Sequence, residues 1–483
     1  MATVGITGYG AYLPRLRLQR EAVAAANGWF DPGLKALGKG ERTMCNWDED
    51  AITMAVEAAA DCLGPLPRRT PGLLVLASTS MPFADRQNSV VVAEALNLET
   101  EGLRTMDVSG SQRASTTGLL SAIDAAAAGS SGAVVVASER RRTLCGSREE
   151  MLYGDGAAAI AVGSHDLLAE VVAQHSAAVD FVDHHRGAQN SFDYPWEERW
   201  VRDEGLSRII PAAVSGVLRK AGVDASRIRH FIVPTDQDRV PGALARELGI
   251  PVDAVADNLA GRVGVTGTAH ALLLLAHRLE TARCGEYVLL VGFGQGCDAL
   301  LLRTTGAVER WRPERGANGN LARGRRESNY NKFQSFNDLV LKDLGKRAEV
   351  DRQAYLAALY RDRAFVTGFK GGRCRSCGTV QLPRHHYCVN PDCGARDTQD
   401  EYPMSGRAGR VTTWTADRLT FDLDPPAYYG MIAFEGGGRL MMDIGEVDPE
   451  AFDTGAEVGV HFRVRQFGDQ RGFRKYFWKA IPR

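Results

Sequence analysis

The chain has 483 residues, of which 44% are hydrophobic and 24% charged, and its formal net charge is −1. This length predicts two or three domains, and the balanced charge gives no reason to expect nucleic acid or an anionic membrane surface as a partner. The sequence shows no N-terminal signal, no apolar run of about 20 residues, and nine mostly scattered cysteines, so it predicts a cytoplasmic protein without a disulfide framework.

Residues 1–305 alternate short apolar strands with Ala- and Leu-rich helices, which is the pattern of an α/β fold with a mainly parallel sheet. One unit of helix, strand, glycine turn and strand occurs twice, with its helix at 115–128 and again at 268–278. This repeat predicts two related halves with a site between them. The predicted strands are 73–77, 133–137, 157–162, 230–233, 287–291 and 299–302.

The remainder of the chain divides into three segments. Residues 306–365 are predicted to form a basic, solvated linker that continues as a helical connector, with the helix from Phe336 to Arg361. Residues 366–398 carry four closely spaced cysteines. Residues 399–483 have the short β-like stretches and many glycines of a small barrel.

The four clustered cysteines form the most specific motif in the sequence. Two pairs brought together by tight turns supply the four thiolates that zinc prefers, and such a closed set leaves no open position for water or substrate. We therefore predict a structural zinc ion, with His385 and His386 as exposed polar residues outside the ligand set. The predicted ligands are Cys374, Cys377, Cys388 and Cys393.

Residues 1–305 resemble archaeal-type hydroxymethylglutaryl-CoA synthases and, more distantly, ketoacyl synthase III, both in the thiolase superfamily. The resemblance rests on the segments 46–59 and 91–96 and on the glycine turns 154–156 and 292–296. From about residue 360 the chain resembles the zinc-ribbon and OB-fold domain that accompanies thiolase-like acyl-CoA enzymes. The resemblance implies a thiolase-type duplicated five-layer α/β fold, plus a C-terminal zinc ribbon and OB-type β-barrel. It also implies a coenzyme A or acyl-carrier thioester as substrate, and a homodimer or larger assembly.

The residues that carry acyl transfer in the resembled family are changed in this chain. Counting from Asp107, the nucleophilic cysteine of the family falls on Gln112. The position of the catalytic histidine falls on Pro234 or Thr235, and that of the asparagine falls on Val265. Glutamine forms no acyl-thioester and valine donates no hydrogen bond, so a Claisen condensation through an acyl-cysteine is not supported.

Other residues remain candidates for a catalytic or substrate-binding role. Glu49 matches the general acid/base glutamate of the resembled synthases, and backbone N–H groups near Gly294 are expected to complete an oxyanion hole with Gln112. Cys145, in a loop expected near the acyl pocket, and Ser111, beside the lost nucleophile, are candidate substrate contacts together with Thr235 and Val265. For the alternative nucleophiles, which are Cys145, Ser111 and Cys45, a packing or surface role is the favoured interpretation.

Two functional hypotheses follow from these residues. The first is an acyl-CoA enzyme that forms or cleaves a C–C bond as an aldolase, lyase or decarboxylase. The second is an inactive thiolase-like partner subunit that scaffolds an active enzyme or channels acyl-CoA to it. A third hypothesis, a nucleic-acid-binding OB protein, is disfavoured because residues 1–305 carry no such chemistry.

Overall fold

The computed structural model describes residues 3–66, 68, 70–349, 355–468 and 471–483. Its strands are β1 Gly5–Tyr12, β2 Leu16–Gln19, β3 Glu41–Met44, β4 Leu73–Ala77, β5 Arg104–Val108, β6 Ala133–Glu139, β7 Gly156–Gly163, β8 Ala169–Ala178, β9 His184–His185, β10 Tyr194–Pro195, β11 Ile228–Ile232, β12 Tyr287–Phe293, β13 Gly296–Thr304, β14 Arg325–Glu327, β15 Lys370–Cys374, β16 Val380–Gln381, β17 Gln399–Pro403, β18 Gly409–Asp417, β19 Ala427–Phe434, β20 Arg439–Asp443, β21 Glu457–Gly468 and β22 Phe473–Pro482. Its α-helices are α1 Arg20–Asn27, α2 Ala51–Leu63, α3 Asn88–Ala95, α4 Ala114–Ala127, α5 Arg148–Leu152, α6 Glu198–Trp200, α7 Ser207–Ala221, α8 Val240–Leu248, α9 His270–Leu279, α10 Gly316–Ala322, α11 Tyr330–Phe336, α12 Leu356–Arg361 and α13 Arg363–Val366. Short 3-10 or π turns lie at Pro32–Leu37, Val201–Leu206, Ala225–Arg227, Val252–Ala254, Gly267–Ala269 and Lys346–Ala348.

The predicted duplication is visible in the large sheet, whose strand order is β11-β12-β13-β8-β1-β7-β6-β4-β5. The order β1-β7-β6-β4 in one half corresponds to β8-β13-β12-β11 in the other, and β1 pairs with β8 where the halves meet. The prediction of a mainly parallel sheet is wrong. Only the outer pairs β11–β12, β4–β6 and β4–β5 of this sheet are parallel among the described strands, because each glycine turn reverses the chain into an antiparallel neighbour.

Helices cover and separate the two halves, which gives the five-layer arrangement. The helices α4 and α9 pack against each other between the half-sheets, α2 and α3 cover one outer face, and α7 with α8 covers the other. The helix α2 begins at a capping box in which the Asp50 carboxylate accepts from the Thr53 N–H. The apolar residues of α4 and α9 share one core cluster with strands from both halves, so the centre of the domain is dry and closely packed.

The segment that follows the large sheet differs from the predicted solvated linker. The Trp311 ring lies 4.6 Å from the Tyr9 ring, and buried Asn320 of α10 donates to the Ala11 carbonyl at 3.0 Å. The strand β14 then pairs with β2, so residues up to Glu327 belong to the first domain. The predicted continuous helix from Phe336 to Arg361 is also absent from the described residues, which have separate helices α11 and α12; residues 350–354 of that prediction lie outside the described residues.

The C-terminal part contains a ribbon and a barrel. The strands β16, β15 and β17 form the ribbon sheet, which therefore includes Gln399–Pro403, a segment that the sequence-based boundary assigned to the barrel. The barrel has the strand order β20-β19-β18-β21-β22, and a bridge between Ile444 and Ala480 brings its ends together. In the described residues, no helix combines the length and apolar character needed to cross a bilayer.

The barrel docks directly on the first domain. The Val464 N–H of β21 donates to the Asp48 carbonyl at 2.8 Å, and the Phe462 N–H donates to the Glu57 carboxylate of α2 at 3.0 Å. Apolar residues of α2 and of the barrel belong to the same core cluster. The barrel is thus packed on the segment that leads into α2.

Candidate functional site

A cavity of about 320 Å³ lies where α4 begins, between the two halves of the first domain. Gln112 reaches it from the start of α4, Thr235 from the loop after β11, and Val265 from the loop before α9. Pro234 and Phe293 also line it. The structure therefore brings together three residues that are far apart in sequence and that the sequence analysis predicted to lie at the acyl-transfer positions.

The start of α4 is fixed by a carboxylate from the opposite half-sheet. Asp298 of β13 accepts from Arg113 at 3.0 Å, from Thr116 at 2.9 Å and from Thr117 at 2.8 Å. Charge-assisted bonds of this kind are stronger than neutral ones, and Asp298 is buried. These bonds hold the first turn of α4 in place, so Gln112 projects from a rigid base.

The Gln112 amide is only partly satisfied by its neighbours. Its Nε2 lies 3.4 Å from the Thr79 hydroxyl, which itself donates to the Glu139 carboxylate at 3.0 Å. Its Oε1 is buried and has no hydrogen-bond partner among the described residues. A buried carbonyl oxygen without a donor is costly, so the protein holds Gln112 in a position that its neighbours do not fully stabilise.

An aspartate–histidine pair faces Gln112 from the β9–β10 hairpin. The His184 Nδ1 lies 2.8 Å from Asp183 Oδ2, and its Nε2 lies 3.4 Å from Gln112 Nε2. An imidazole that donates from Nδ1 to a carboxylate keeps a lone pair on Nε2. Both side chains line the cavity and are 16% exposed. This is the arrangement of a general base that a carboxylate orients.

The hairpin that carries this pair is anchored by buried charges. Asp193 lies 2.6 Å from Arg141 and 2.7 Å from Arg186, and the Arg141 guanidinium lies 3.7 Å from the centre of the Tyr153 ring. Burial by itself would raise the pKa of Asp193, but the positive charges of Arg141 and Arg186 outweigh burial and lower it. Asp193 is therefore ionised at neutral pH, and the hairpin is held over the cavity by two ion pairs.

Ser111 and Gly294 lie behind the cavity wall instead of lining it. The Ser111 hydroxyl donates to the Gly294 carbonyl at 2.8 Å, and the Gly294 N–H donates to the Gly296 carbonyl at 3.0 Å. The Gly294 N–H, expected from the sequence to contribute to an oxyanion hole, is thus already bonded within its own turn. A Cβ at Gly294 would lie 2.6 Å from the Ser111 hydroxyl, which explains the glycine there.

Neither cysteine considered as a replacement nucleophile lines the cavity. Cys145 is exposed, and its Sγ accepts from Gln334 Nε2 of α11 at 3.4 Å. Cys45 is buried, its N–H donates to Asp155 at 2.8 Å, and burial raises the pKa of its thiol well above the usual value. A high thiol pKa leaves little thiolate at neutral pH, so Cys45 is a packing residue.

Glu49 is also outside this cavity, contrary to the arrangement expected from the sequence. It is 1% exposed, accepts from the Tyr12 hydroxyl and from the Asn46 N–H, and lies 3.5 Å from Arg463 of the barrel. It lines a separate space of about 200 Å³ between the first domain and the barrel. Burial raises the pKa of Glu49 to about 7 in spite of the opposing charge of Arg463. Glu49 lies in this interface because the barrel docks on the first domain, and the sequence does not predict that contact.

Sequence reasoning missed the residues that complete the cavity. Asp183 and His184 stand in a run of ionisable residues, Asp183-His184-His185-Arg186, which is the one signal that could have drawn attention to them. Their approach to Gln112 depends on the hairpin folding back over α4, because 72 residues separate Gln112 from His184. Local patterns do not specify such a contact.

The four predicted zinc ligands converge in the ribbon. Their Sγ atoms all lie within 4.8 Å of one another, with 3.9 Å between Cys374 and Cys393 and 3.5 Å between Cys377 and Cys388. Four thiolates at such separations fit a tetrahedral zinc ion. His385 and His386 are exposed, and His386 bonds to Asp397 at 2.7 Å, so they stand outside this set.

Comparisons with known proteins agree with this architecture. Residues 218–304 match the family "3-Oxoacyl-[acyl-carrier-protein (ACP)] synthase III C terminal". The hydroxymethylglutaryl-CoA synthase of Aeropyrum pernix is 30% identical over 320 residues, which are 65% of this chain and 88% of the relative. The chain belongs to the hydroxymethylglutaryl-CoA synthase family. The corresponding synthase of Pyrobaculum aerophilum is 30% identical over 305 residues, which are 61% of this chain and 85% of that protein.

Solved structures show the same fold for the first domain. A structure of MvaS in complex with 3-hydroxy-3-methylglutaryl coenzyme A superposes with a TM-score of 0.59 at 21% identity, and covers 71% of this chain and 93% of its own. FabH from Pseudomonas aeruginosa PAO1, a 3-oxoacyl-(acyl carrier protein) synthase III, gives a TM-score of 0.56 at 25% identity. It covers 63% of this chain and 98% of its own. The thiolase-type fold predicted from the sequence is thereby confirmed.

The C-terminal domains match a second pair of families. Residues 368–399 match the "ChsH2, rubredoxin-like zinc ribbon domain", and residues 401–463 match the "ChsH2, C-terminal OB-fold domain". The chain therefore joins a hydroxymethylglutaryl-CoA synthase-type domain to a ribbon and an OB-fold, as the sequence predicts. All four converging cysteines lie inside the matched ribbon.

Proposed function

We propose that this chain is an acyl-CoA aldolase or C–C bond lyase that works without an acyl-cysteine. The observation that carries the proposal is the pair Asp183–His184 opposite Gln112 in one cavity. A base without a nucleophile suits a reaction in which only a proton and a C–C bond are exchanged. The acyl-CoA class is taken from the relatives, whose names specify an acyl-CoA, hydroxymethylglutaryl-CoA.

The reaction in the cleavage direction begins with a 3-hydroxyacyl thioester. The Nε2 of His184 takes the proton of the 3-hydroxyl group, a C=O bond forms at that carbon, and the bond between carbons 2 and 3 breaks. The electron pair of the broken bond becomes the thioester enolate, and the imidazolium returns its proton to carbon 2. The products are an aldehyde or ketone and a shortened acyl thioester, and no oxidant or reductant is consumed.

Gln112 has a defined role in this reaction. We assign its amide N–H the role of donating to the thioester oxygen, on which negative charge develops as the enolate forms. A cavity of about 320 Å³ suits an acyl group more than a whole CoA molecule.

The test is a mass-spectrometric turnover screen of the purified full chain with 3-hydroxyacyl-, hydroxymethylglutaryl-, 3-oxoacyl- and malonyl-CoA. We expect a carbonyl product from a 3-hydroxyacyl thioester, and its loss in His184→Gln and Asp183→Asn. His185→Gln is the matched control, since His185 is the exposed neighbour on the same strand and contacts Tyr194. Turnover that survives in His184→Gln would refute the assignment. The absence of turnover from a protein that still binds CoA would favour the partner-subunit hypothesis.

We also propose that the ribbon holds one structural zinc ion and that the chain forms a homodimer. Metal analysis of the purified chain should give about one zinc per chain, and Cys388→Ser should lose it and melt at a lower temperature. Cys145→Ser is the control, because Cys145 is an exposed cysteine outside the four-residue set. A molar mass near 52.4 kDa in a light-scattering measurement, instead of twice that value, would contradict the homodimer.

A further inference from the structure

A second cavity, of about 500 Å³, lies on the other side of Thr79 from Gln112. The first domain supplies its wall through Thr79, Ser80, Arg140 and Arg142, the connector supplies residues around Asn337, and the barrel closes it from the opposite side. We call this space the arginine cleft. The barrel residues that line it are Phe421, Leu423, Phe467 and Arg474.

The arginine cleft has an excess of positive charge. The carboxylates that line it are Asp50, which bonds to Arg474 at 2.8 Å and also accepts from Tyr476, and Asp338. The guanidinium groups that line it are Arg140, Arg142, Arg186 and Arg474. Since Arg474 pairs with Asp50 and Arg186 pairs with Asp193, the excess of positive charge comes from Arg140 and Arg142, and it favours the entry of an anionic ligand.

Two of these arginines are held by backbone carbonyls and not by carboxylates. Arg140 donates to the Glu49 carbonyl at 2.6 Å and to the Phe336 carbonyl at 2.5 Å. Arg142 donates to the Asn337 carbonyl at 3.0 Å, and its buried Nε has no partner among the described residues. Carbonyl bonds fix the position of a guanidinium group but leave its charge uncompensated. A carboxylate or a phosphate would compensate it with charge-assisted hydrogen bonds.

The cleft also has the flat apolar surfaces that a ring or chain needs. Trp47, Phe336 and Phe467 line it, and the Trp47 and Phe467 ring centres lie 6.5 Å apart. Arginine and aromatic surfaces together are the lining expected for an organic anion with a planar or apolar body.

We propose that the arginine cleft binds an organic anion, with a phosphate or carboxylate at Arg140 and Arg142 and a planar or apolar body between Trp47, Phe336 and Phe467. This proposal goes beyond the proposed reaction and does not depend on it. A ligand in the cleft lies next to the candidate site, because Thr79 lines the cleft and bonds to Gln112. The two sources of such an anion are the phosphates of a nucleotide-bearing carrier and the carboxylate of an acyl group.

The test is direct binding to the full chain, with adenosine 5′-diphosphate measured by titration calorimetry and benzoate by ligand-observed NMR. We expect saturable binding of at least one probe, weakened about tenfold or more by Arg142→Gln and by Arg140→Gln and largely kept by Arg142→Lys. Arg410→Gln is the matched control, since Arg410 is an exposed arginine on β18 that pairs with Glu457. Binding of the diphosphate assigns the cleft to a phosphate, and binding of benzoate alone assigns it to a carboxylate.

Two results would overturn the proposal. One is that neither probe binds saturably to the wild-type chain. The other is that binding is unchanged in both Gln variants. Each variant is first checked by thermal melting, and Arg474→Gln serves as a further probe of the cleft if a variant at Arg140 or Arg142 does not fold. Since no turnover is measured, this experiment keeps its meaning even if the proposed reaction is refuted.

Discussion

The cavity at Gln112 and the buried group of charges around Glu49 both place polar and ionisable side chains inside the protein, but their hydrogen bonds are completed to different degrees. Around Glu49, Arg463 donates to the Tyr12 hydroxyl at 2.9 Å and to Glu446 at 3.0 Å, and Glu49 itself accepts from Tyr12 and Asn46. We call this group the docking cluster, since it joins the barrel to the first domain. In the cavity, Gln112 Oε1 has no partner among the described residues, and His184 Nε2 lies 3.4 Å from the Gln112 amide nitrogen.

The difference shows what marks a functional site in this molecule. Burial raises the pKa of Glu49 to about 7, yet this perturbation arises in a packed interface. Structural ion-pair clusters perturb pKa values as active sites do. What distinguishes the cavity is room for a ligand beside an aspartate–histidine pair and the Gln112 amide. A variant of each region should therefore affect a different observable.

The largest expected effect separates the two regions by turnover. We expect His184→Gln to lower kcat by about 10²- to 10⁴-fold, because general base catalysis contributes that much. Glu49→Gln should leave kcat nearly unchanged, since Glu49 does not line the cavity. The rates of both variants are measured on the thioester that the turnover screen identifies as a substrate. An equal loss of kcat in both variants would contradict this distinction and would indicate that Glu49 takes part in the reaction.

The second expected effect is on stability and belongs to the docking cluster. Arg463→Met leaves Glu49 and Glu446 without their shared cation, and we expect it to lower the free energy of unfolding by about 3–5 kcal/mol. Arg410→Met is the control, because its ion pair with Glu457 is exposed and is worth at most about 1 kcal/mol. Chemical denaturation measures both. A small loss in Arg463→Met would mean that the cluster does not hold the barrel.

The third effect is a change in the pH dependence of the free energy of unfolding. Burial raises the pKa of Glu49 from 4.5 to about 7, so the folded chain binds a proton that the unfolded chain releases between these values. This contribution is fully present below pH 4.5 and is lost as the pH rises through 7, by roughly 3 kcal/mol at most. Unfolding free energies at pH 5, 6, 7 and 8 should fall less steeply in Glu49→Gln than in the wild type. Identical slopes would refute the raised pKa.

The smallest effect tests how precisely Gln112 must be placed. Gly267 has a φ of +53°, and an added Cβ would lie 2.8 Å from Gln112 Oε1, Arg141 Cδ and Glu139 Cγ. We expect Gly267→Ala to displace Gln112 slightly and to lower kcat about tenfold. Gly242→Ala is the control, since a Cβ there meets no atom within 4 Å. Unchanged kinetics in Gly267→Ala would show that the Gln112 position tolerates movement.

Local sequence patterns predicted much of the first domain. The strand predicted at 73–77 is β4, and the strand predicted at 287–291 lies within β12. These strands are apolar runs between turn residues, a signal that each segment carries alone. The prediction of a mainly parallel sheet was wrong, because strand direction depends on the chain reversals at the glycine turns. The prediction of a solvated linker was wrong, because a basic composition does not reveal that Trp311 packs on Tyr9.

The sequence by itself determined the repeated α/β pattern and the four-cysteine ribbon, and it led to the prediction that Gln112 and Val265 stand in place of acyl-transfer residues. These features depend on residue type and on short spacing. Only the tertiary structure decided that His184 faces Gln112 and that Glu49 belongs to the docking cluster. The first contact joins residues that are 72 positions apart, and in the second Glu49 lies 3.5 Å from Arg463 of the barrel. Such contacts follow from how whole domains and hairpins pack, not from the properties of the segments themselves.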